Sequence, residues 1–555
     1  MRSGFRNTTW ESIVLLASLV YGIVSSYGFA LADVGNDYVP DEVLVKFKTG
    51  KAAMAQSFHA QIGARVAGSL AVSKVNRVRL PKDVTVSEAV RLYSANPAVE
   101  FVEPNYILHF VNTYPNDPQF SNQWGHENSG QFGGTFDADI DSVEAWDTSV
   151  GSDSVVVAIT DTGIDLTHPD LDANIWTNPG EDPWTDPYDP TTGNGVDDDL
   201  NGYVDDWKGY DFNGPLPLIP VRDNDPSDGV GHGTHCAGIL AARGNNGIGV
   251  TGASWNAKIM PLKIGADSGL ALTVFVAAQA IDYAVANGAD IISASWGGLA
   301  GINTVRTAIE NAHSAGVLFV AAAGNYGTNN DGFLKFYPAS YDLDNIIAVA
   351  ATDYDDELAD FSNFGRRTVD VGAPGVAILS TMPTYEVYLN QSPYYYSMHY
   401  DYLDGTSMAT PFVAGALAVL MSAHPTETHM EIRDRLFSGV NRVAALDGTT
   451  VTGGRINLNN SITGSYPDFP DDDQDDVPNW TDNCPDTYNP GQEDGDGDGI
   501  GDACESQYSA VTNAEAAIYG SSSLVASGAT NSLALLLIPV GAVIFLRIVL
   551  RKKWH

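Results

Sequence analysis

The chain has 555 residues, too many for one ordinary domain, so several segments are expected. Its 28 basic residues stand against 69 acidic ones, a formal net charge of −41, which argues against nucleic acid as a partner because phosphates need basic surfaces. Acidity of this strength fits bound cations or a saline, calcium-containing exterior.

Taken in chain order, Arg2 and Arg6 precede an apolar run from Ile13 to Val24, and Ala30-Leu31-Ala32 follows as a small-x-small triplet. That pattern predicts residues 1–32 as a removable secretory signal, and export permits disulfides. Of the three cysteines, Cys484 and Cys504 flank one acidic segment and are the expected pair, which leaves Cys236 over.

In residues 33–110, Glu42 to Lys48 alternates like a half-buried strand, Val84 to Ala95 reads as an amphipathic helix, and Val99 to Tyr106 reads as a second strand. In residues 111–464, Val155–Thr160, Lys258–Ile264, Ala289–Ser295 and Val317–Ala322 are the apolar runs of strands buried on both faces. Leu272–Asn287, Val305–Ala315 and Met408–Leu420 read as helices. The alternation predicts an α/β fold, a parallel sheet with helices on both faces, preceded by a small α+β domain.

Beyond about residue 465 the composition changes. Residues 465–505 are acid-rich and too poor in apolar side chains to bury a core, so something else must order them. Residues 506–532 are small and polar, as in a linker. Leu533 to Leu550 is apolar except for Arg547, and Arg551-Lys552-Lys553 follows. A helix of that length spans roughly 27 Å, enough to cross a bilayer with its basic end in the cytoplasm. Residues 533–555 therefore read as a membrane helix or a sorting tail.

Four separated segments carry the chemistry. Asp161 closes the first apolar run, in Val155-Val-Val-Ala-Ile-Thr-Asp-Thr-Gly-Ile-Asp165. His232 lies in Gly231-His-Gly-Thr-His-Cys-Ala-Gly238, and Ser407 in Gly405-Thr-Ser-Met-Ala-Thr-Pro411. Asn325 ends Val320-Ala-Ala-Ala-Gly-Asn325. A serine hydroxyl is a weak nucleophile until a histidine takes its proton, and the histidine needs a carboxylate to fix its tautomer. With these motifs in the order Asp, His, Ser, the chain resembles the subtilisin family of serine endopeptidases over roughly residues 38–462.

The resemblance implies Asp161, His232 and Ser407 as the catalytic triad, with the Asn325 side chain and the Ser407 amide as the oxyanion hole. It implies substrate binding by Ser295, Trp296 and Gly297, which match the strand that pairs with substrate backbone, and by Gly324 and Phe336. Phe336 stands where small or polar residues often form the base of the first specificity pocket, so it shortens that pocket. Phe412 replaces a common histidine. Cys236 matches a buried thiol beneath the catalytic histidine, and His235 a structural residue. Thr384 to Asp401 is a tyrosine-rich insertion, either a lid or a loop packed elsewhere. Residues 33–110 resemble the family's propeptide, an inhibitor and folding chaperone cut off between about His109 and Tyr114.

Calcium is expected at three places. Asp197, Asp199, Asn201, Tyr203, Asp205 and Asp206 space oxygen ligands around Gly202 as in a partial EF-hand loop, without the closing Glu. Resemblance implies a second site from Asp117, Asp170 and Asn246 with the carbonyls of Ile248 and Val250. Asp482-Asn-Cys-Pro485, with Asp494, Asp496, Asp498 and Asp502, resembles a thrombospondin type 3 repeat stapled by Cys484–Cys504. The expected protein is a secreted, calcium-stabilised, self-processing serine endopeptidase tethered at a cell surface. Its partners are protein or peptide substrates, its own propeptide and a membrane. The competing expectation is a calcium-dependent surface adhesion protein on an inert protease fold.

Overall fold

A computed structural model describes residues 38–106 except 83, 113–214, 221–267, 269, 272–465, 471, 473–475, 477–478, 481–495 and 501–504. The expected signal, the linker, the 533–555 segment, the region of the expected cut before Thr113, and Asp496 and Asp498 lie outside the described residues. The chain divides into two compact units between Val111 and Asn112.

The first unit is a four-stranded antiparallel sheet, in the order β2-β3-β1-β4, with two helices. Its strands are β1 (Tyr38–Phe47), β2 (Arg65–Ser69), β3 (Val75–Arg79) and β4 (Val99–Tyr106). The helices are Ala52–Gln61 and Val86–Ser94, and Val43, Val45, Val78, Ala89 and Tyr93 form the fully buried centre. Thr85 caps the second helix by accepting the Glu88 amide, as Thr does at helix starts.

The second unit is built on a nine-stranded sheet. In chain order its strands are β5 (Val156–Asp161), β6 (Tyr210–Asp211), β7 (Lys258–Lys263), β8 (Ile291–Ala294), β9 (Leu318–Ala322), β10 (Ile346–Thr352), β11 (Val371–Pro374), β14 (Asn441–Arg442) and β15 (Gly454–Arg455). In space the order is β14-β15-β11-β10-β9-β8-β5-β7-β6, parallel except for β14 against β15. Two further strands, β12 (Ile378–Thr381) and β13 (Tyr400–Leu403), form a separate antiparallel pair.

Strand alternation divides the core into two layers. On β5, Val157 and Ile159 face the helices His232–Ala241 and Thr406–Ala423, while Ala158 faces Val274–Ala286 and Asn303–Ser314. On β9, Leu318 and Val320 join the first layer, and Phe319 and Ala321 the second. Both faces of the sheet are thus covered, which is why its strands read as unbroken apolar runs. Thr406–Ala423 is the one described helix long and apolar enough to cross a membrane, and it is the buried central helix of this unit.

Candidate active site

Open parallel sheets gather ligands at the carboxyl ends of their strands. Asp161 is the last residue of β5, so its carboxylate stands at that edge. Gly163 turns the chain immediately afterwards at φ +108°, where a Cβ would lie 2.6 Å from the carbonyl oxygens of both Pro226 and Ser227. A side chain there would clash and strain the backbone.

His232 is the first residue of its helix, and its Nδ1 lies 2.7 Å from Asp161 Oδ1. The same carboxylate oxygen accepts the Thr162 amide at 2.7 Å. Burial, the largest single influence, opposes protonation of His232, but the Asp161 carboxylate and Cys236 together outweigh it and raise the imidazole well above its ordinary pKa of 6.5. With Nδ1–H donated to the carboxylate, Nε2 remains the proton acceptor.

Asp228 sets where His232 stands. Its buried carboxylate accepts from Thr162 Oγ1 at 2.9 Å, from the Val230 and Gly231 amides at 2.9 and 2.8 Å, and from the Thr234 amide and hydroxyl at 2.9 and 2.7 Å. One side chain therefore ties the end of β5 to the start of the histidine helix. Sequence reasoning missed Asp228, although it lies only four residues before His232.

Ser407 is the second residue of the long helix Thr406–Ala423, whose positive N-terminal end is directed at the site. Its hydroxyl donates to the Ser295 carbonyl at 3.3 Å, and its own carbonyl accepts from Ser295 Oγ at 2.9 Å. Asn325 Oδ1 accepts the Thr406 amide and hydroxyl, each at 2.9 Å. Those two bonds orient the side-chain amide and leave its NH2 group for another acceptor. The structure thus gathers Asp161, His232, Ser407, Ser295 and Asn325 at one edge.

The remaining expected residues have definite places. Trp296 packs against the second core layer and donates to Thr160 Oγ1 at 2.9 Å. Phe336 is buried between Gly297 and Gly324. Cys236 is buried, with Sγ 3.4 Å from the Ser407 carbonyl and 3.9 Å from His232 Nδ1, and burial pushes its thiol pKa up, against nucleophile chemistry. His235 lies 3.1 Å from the Asp401 carbonyl, and burial lowers its pKa to about 3, a structural environment. The tyrosine-rich insertion is packed onto the segment before His232. The Tyr388 and Leu389 amides donate to Gly229 and Val230, and Tyr385 Oη accepts the Asp228 amide at 3.1 Å.

At the first expected cation loop, Asp197 accepts the Asn201 and Gly202 amides and Asp205 the Gly195 amide. Tyr203 stacks edge-on against Tyr210, Phe212 and Tyr283. The carboxylates that converge are Asp199, Asp206 and Glu181, with ligand oxygens within 4.8 Å of one another. Asn201 Nδ2 donates to Asp199 and Asp206 at 3.1 and 2.9 Å. Glu181 Oε2 is buried without a partner, and burial raises this carboxyl to about 7. Sequence spacing had no means of including Glu181, which comes from an upstream turn.

Asp117, Asp170, Asn246 and Val250 lie together, linked by hydrogen bonds. Asn246 Nδ2 donates to Asp170 Oδ1 at 2.9 Å, the Asn246 amide to Asp117 Oδ1 at 3.3 Å, and the Val250 amide to Asp170 Oδ2 at 3.0 Å. The Ile248 amide donates to Asn246 Oδ1 at 2.7 Å. In the acidic segment a disulfide joins Cys484 and Cys504. There the Asp502 carboxylate accepts the Gly495 amide at 2.8 Å. Among the described residues the carboxylates of Asp471, Asp473 and Asp475 also converge, and both Asp473 oxygens are buried without a partner.

Comparisons with known proteins agree with this architecture. A model of the Subtilase family matches residues 152–463, and one of the fervidolysin N-terminal prodomain matches residues 30–105. The thermophilic serine proteinase of Bacillus sp. strain AK1 is 34% identical over 434 residues, covering 77% of this chain and 88% of that protein. Thermitase of Thermoactinomyces vulgaris is 34% identical, covering 63% of this chain and 99% of that one. An extracellular protease of Xanthomonas campestris is 33% identical, covering 82% and 77%. A solved protease of Pseudoalteromonas arctica PAMC 21717 superposes with a TM-score of 0.50 at 29% identity, over 64% of this chain and all of that one. On these matches the chain belongs to the subtilase family of serine proteases, with an N-terminal prodomain of the fervidolysin kind.

Proposed function

We propose that this protein is an endopeptidase that cleaves peptide bonds through an acyl-enzyme on Ser407. The observation that carries the reading is the 2.7 Å bond from His232 to Asp161 at the edge where Ser407 and Asn325 also stand. His232 Nε2 takes the Ser407 proton as Oγ attacks the carbonyl carbon, and then delivers it to the leaving amine. Asp161 stabilises the imidazolium between those steps. The Asn325 NH2 and the Ser407 amide receive the negative oxygen of the tetrahedral intermediate. Water reverses the sequence and frees the acid.

The chain is read as a zymogen: leader 1–32, inhibitory propeptide 33–110, catalytic domain 111–464, acidic repeat 465–505, linker 506–532, and a membrane helix or sorting tail at 533–555. Export followed by tethering at the cell surface fits that order. Calcium fits the donor sets, because hard oxygen ligands are left unpartnered at Glu181 and Asp473 and would otherwise repel their neighbours. Glu181, Asp199 and Asp206 would hold one ion, and Asp117, Asp170, Asn246 and the Ile248 and Val250 carbonyls another. The acidic repeat, of thrombospondin type 3 character, would hold further ions through Asp471, Asp473 and Asp475, with the sequence-expected Asp494, Asp496, Asp498 and Asp502. In each place the ion supplies charge neutralisation.

The test is the mass and N-terminus of protein purified with calcium, wild type beside Ser407→Ala. Loss of the segment before about residue 114 from the wild type alone is the expected result. Two folded, uncut proteins would favour the competing adhesion reading.

A further inference from the structure

The walls of the slot beside Ser407 are two glycine-containing segments, and an aromatic ring stands between them. A Cβ placed on Gly297 would lie 2.5 Å from Phe336 Cε1 and 2.8 Å from Cζ, and one on Gly324 would lie 2.9 Å from Phe336 Cγ. The ring therefore touches the backbone of both walls. It is only 7% exposed, and the Tyr326 ring packs over it at 5.8 Å. Its backbone is pinned, since Gly298 and Tyr337 exchange two hydrogen bonds of 2.8 Å.

Each wall leads directly to a reacting group. The first runs back to Ser295, whose carbonyl accepts the Ser407 hydroxyl. The second runs on to Asn325, which bonds Thr406. A peptide whose carbonyl carbon meets Ser407 Oγ and whose oxygen meets Asn325 is fixed at two points. Paired as an added strand along Ser295–Gly297, it must direct the side chain before the scissile bond between the two walls. That volume is occupied by Phe336. We infer that Phe336 is a built-in plug that limits the residue before the scissile bond to a small side chain, from glycine up to threonine; in the expected cut region Thr113 meets that limit. This rests on the endopeptidase reading above.

The experiment uses tetrapeptide anilides that differ only in that residue, alanine or phenylalanine. The wild-type kcat/KM should favour alanine by about 100-fold or more, since a filled pocket has no room for an aromatic ring. Phe336→Gly should shift the ratio of kcat/KM for the phenylalanine peptide over the alanine peptide by about 100-fold towards phenylalanine. Phe336→Leu carries the same comparison if the glycine variant does not fold. N-terminal sequencing of fragments from a denatured protein digested by wild type gives a second readout, with cuts after Gly, Ala, Ser and Thr expected and none after large aromatic residues. Equal cleavage of both peptides by wild type, or an unchanged ratio in variants that still cleave the alanine peptide, overturns the plug alone. No cleavage of either peptide by processed wild type overturns the endopeptidase reading and the plug together.

Discussion

Tyr400 Oη donates a 2.9 Å hydrogen bond to Asp170 Oδ2, across 230 residues of chain. Asp170 is fully buried and belongs to the cluster with Asp117 and Asn246. Tyr400 begins β13, which leads through Gly405 to Ser407. The Asp117–Asp170–Asn246 cluster and the nucleophile are thus joined by one short strand.

Removing that hydroxyl tests the link. Tyr400→Phe leaves a buried carboxylate short of one donor, a cost of about 1.5–3 kcal/mol. The expected outcome is a lower Tm in calcium and a higher calcium concentration for half-maximal protection. Chelation should lower the wild-type Tm further than the substitution does. Thermal melts across a calcium titration check this, and unchanged values of both quantities would sink the idea.

The His232–Asp161 pair predicts a pH profile. Burial opposes the charged imidazole most strongly, but Asp161 with Cys236 raises its pKa well above 6.5, and the base must be neutral to work. The acid limb of kcat/KM should therefore fall above pH 6.5. The stability that the ion pair contributes runs the other way: it is complete below 6.5 and is lost as pH rises through the folded-state value. Asp161→Asn should move the limb to lower pH and cut kcat by about 10⁴-fold. A wild-type limb at or below 6.5 would contradict the assignment.

Asn325 has two separable duties. Its oxygen holds Thr406, and its NH2 group is the proposed donor to the oxyanion. Asn325→Asp retains the acceptor and removes the donor. It should lower kcat by about 10²–10³-fold with little change in KM. Stopped assays on one peptide substrate decide this; a rise in KM at constant kcat would assign Asn325 to ground-state binding instead.

How much of this was legible in sequence depended on the range of the forces involved. Asp161, His232 and Ser407 each sit at the end of a strand or helix with a local signature, so they were readable. Glu181 and Tyr400 were not, because their partners lie 18 and 230 residues away and no periodicity connects them. Four buried strands of the large sheet, β5, β7, β8 and β9, were found within two residues because both faces demand apolar side chains, whereas β10 and β11, equally buried, went unread. The helix Ala52–Gln61 and strand β2 went unread; β2 is exposed along almost its whole length, so its residues carry no alternation. The long helix begins at Thr406 rather than Met408, since contacts from distant Asn325 fix its first turn.

The order of the large sheet has a kinetic consequence. β5, the first of its strands in the chain, ends between β8 and β7, so its neighbours are made from much later parts of the polypeptide. Such high contact order forces the chain to close long loops before any pairing rewards them, and folding is slow for that reason. Leaving the native state means breaking the same central pairings at once. For a protease surrounded by its own copies, endurance is then a matter of rate: a molecule lasts as long as its sheet takes to open, because only the opened chain can be cut.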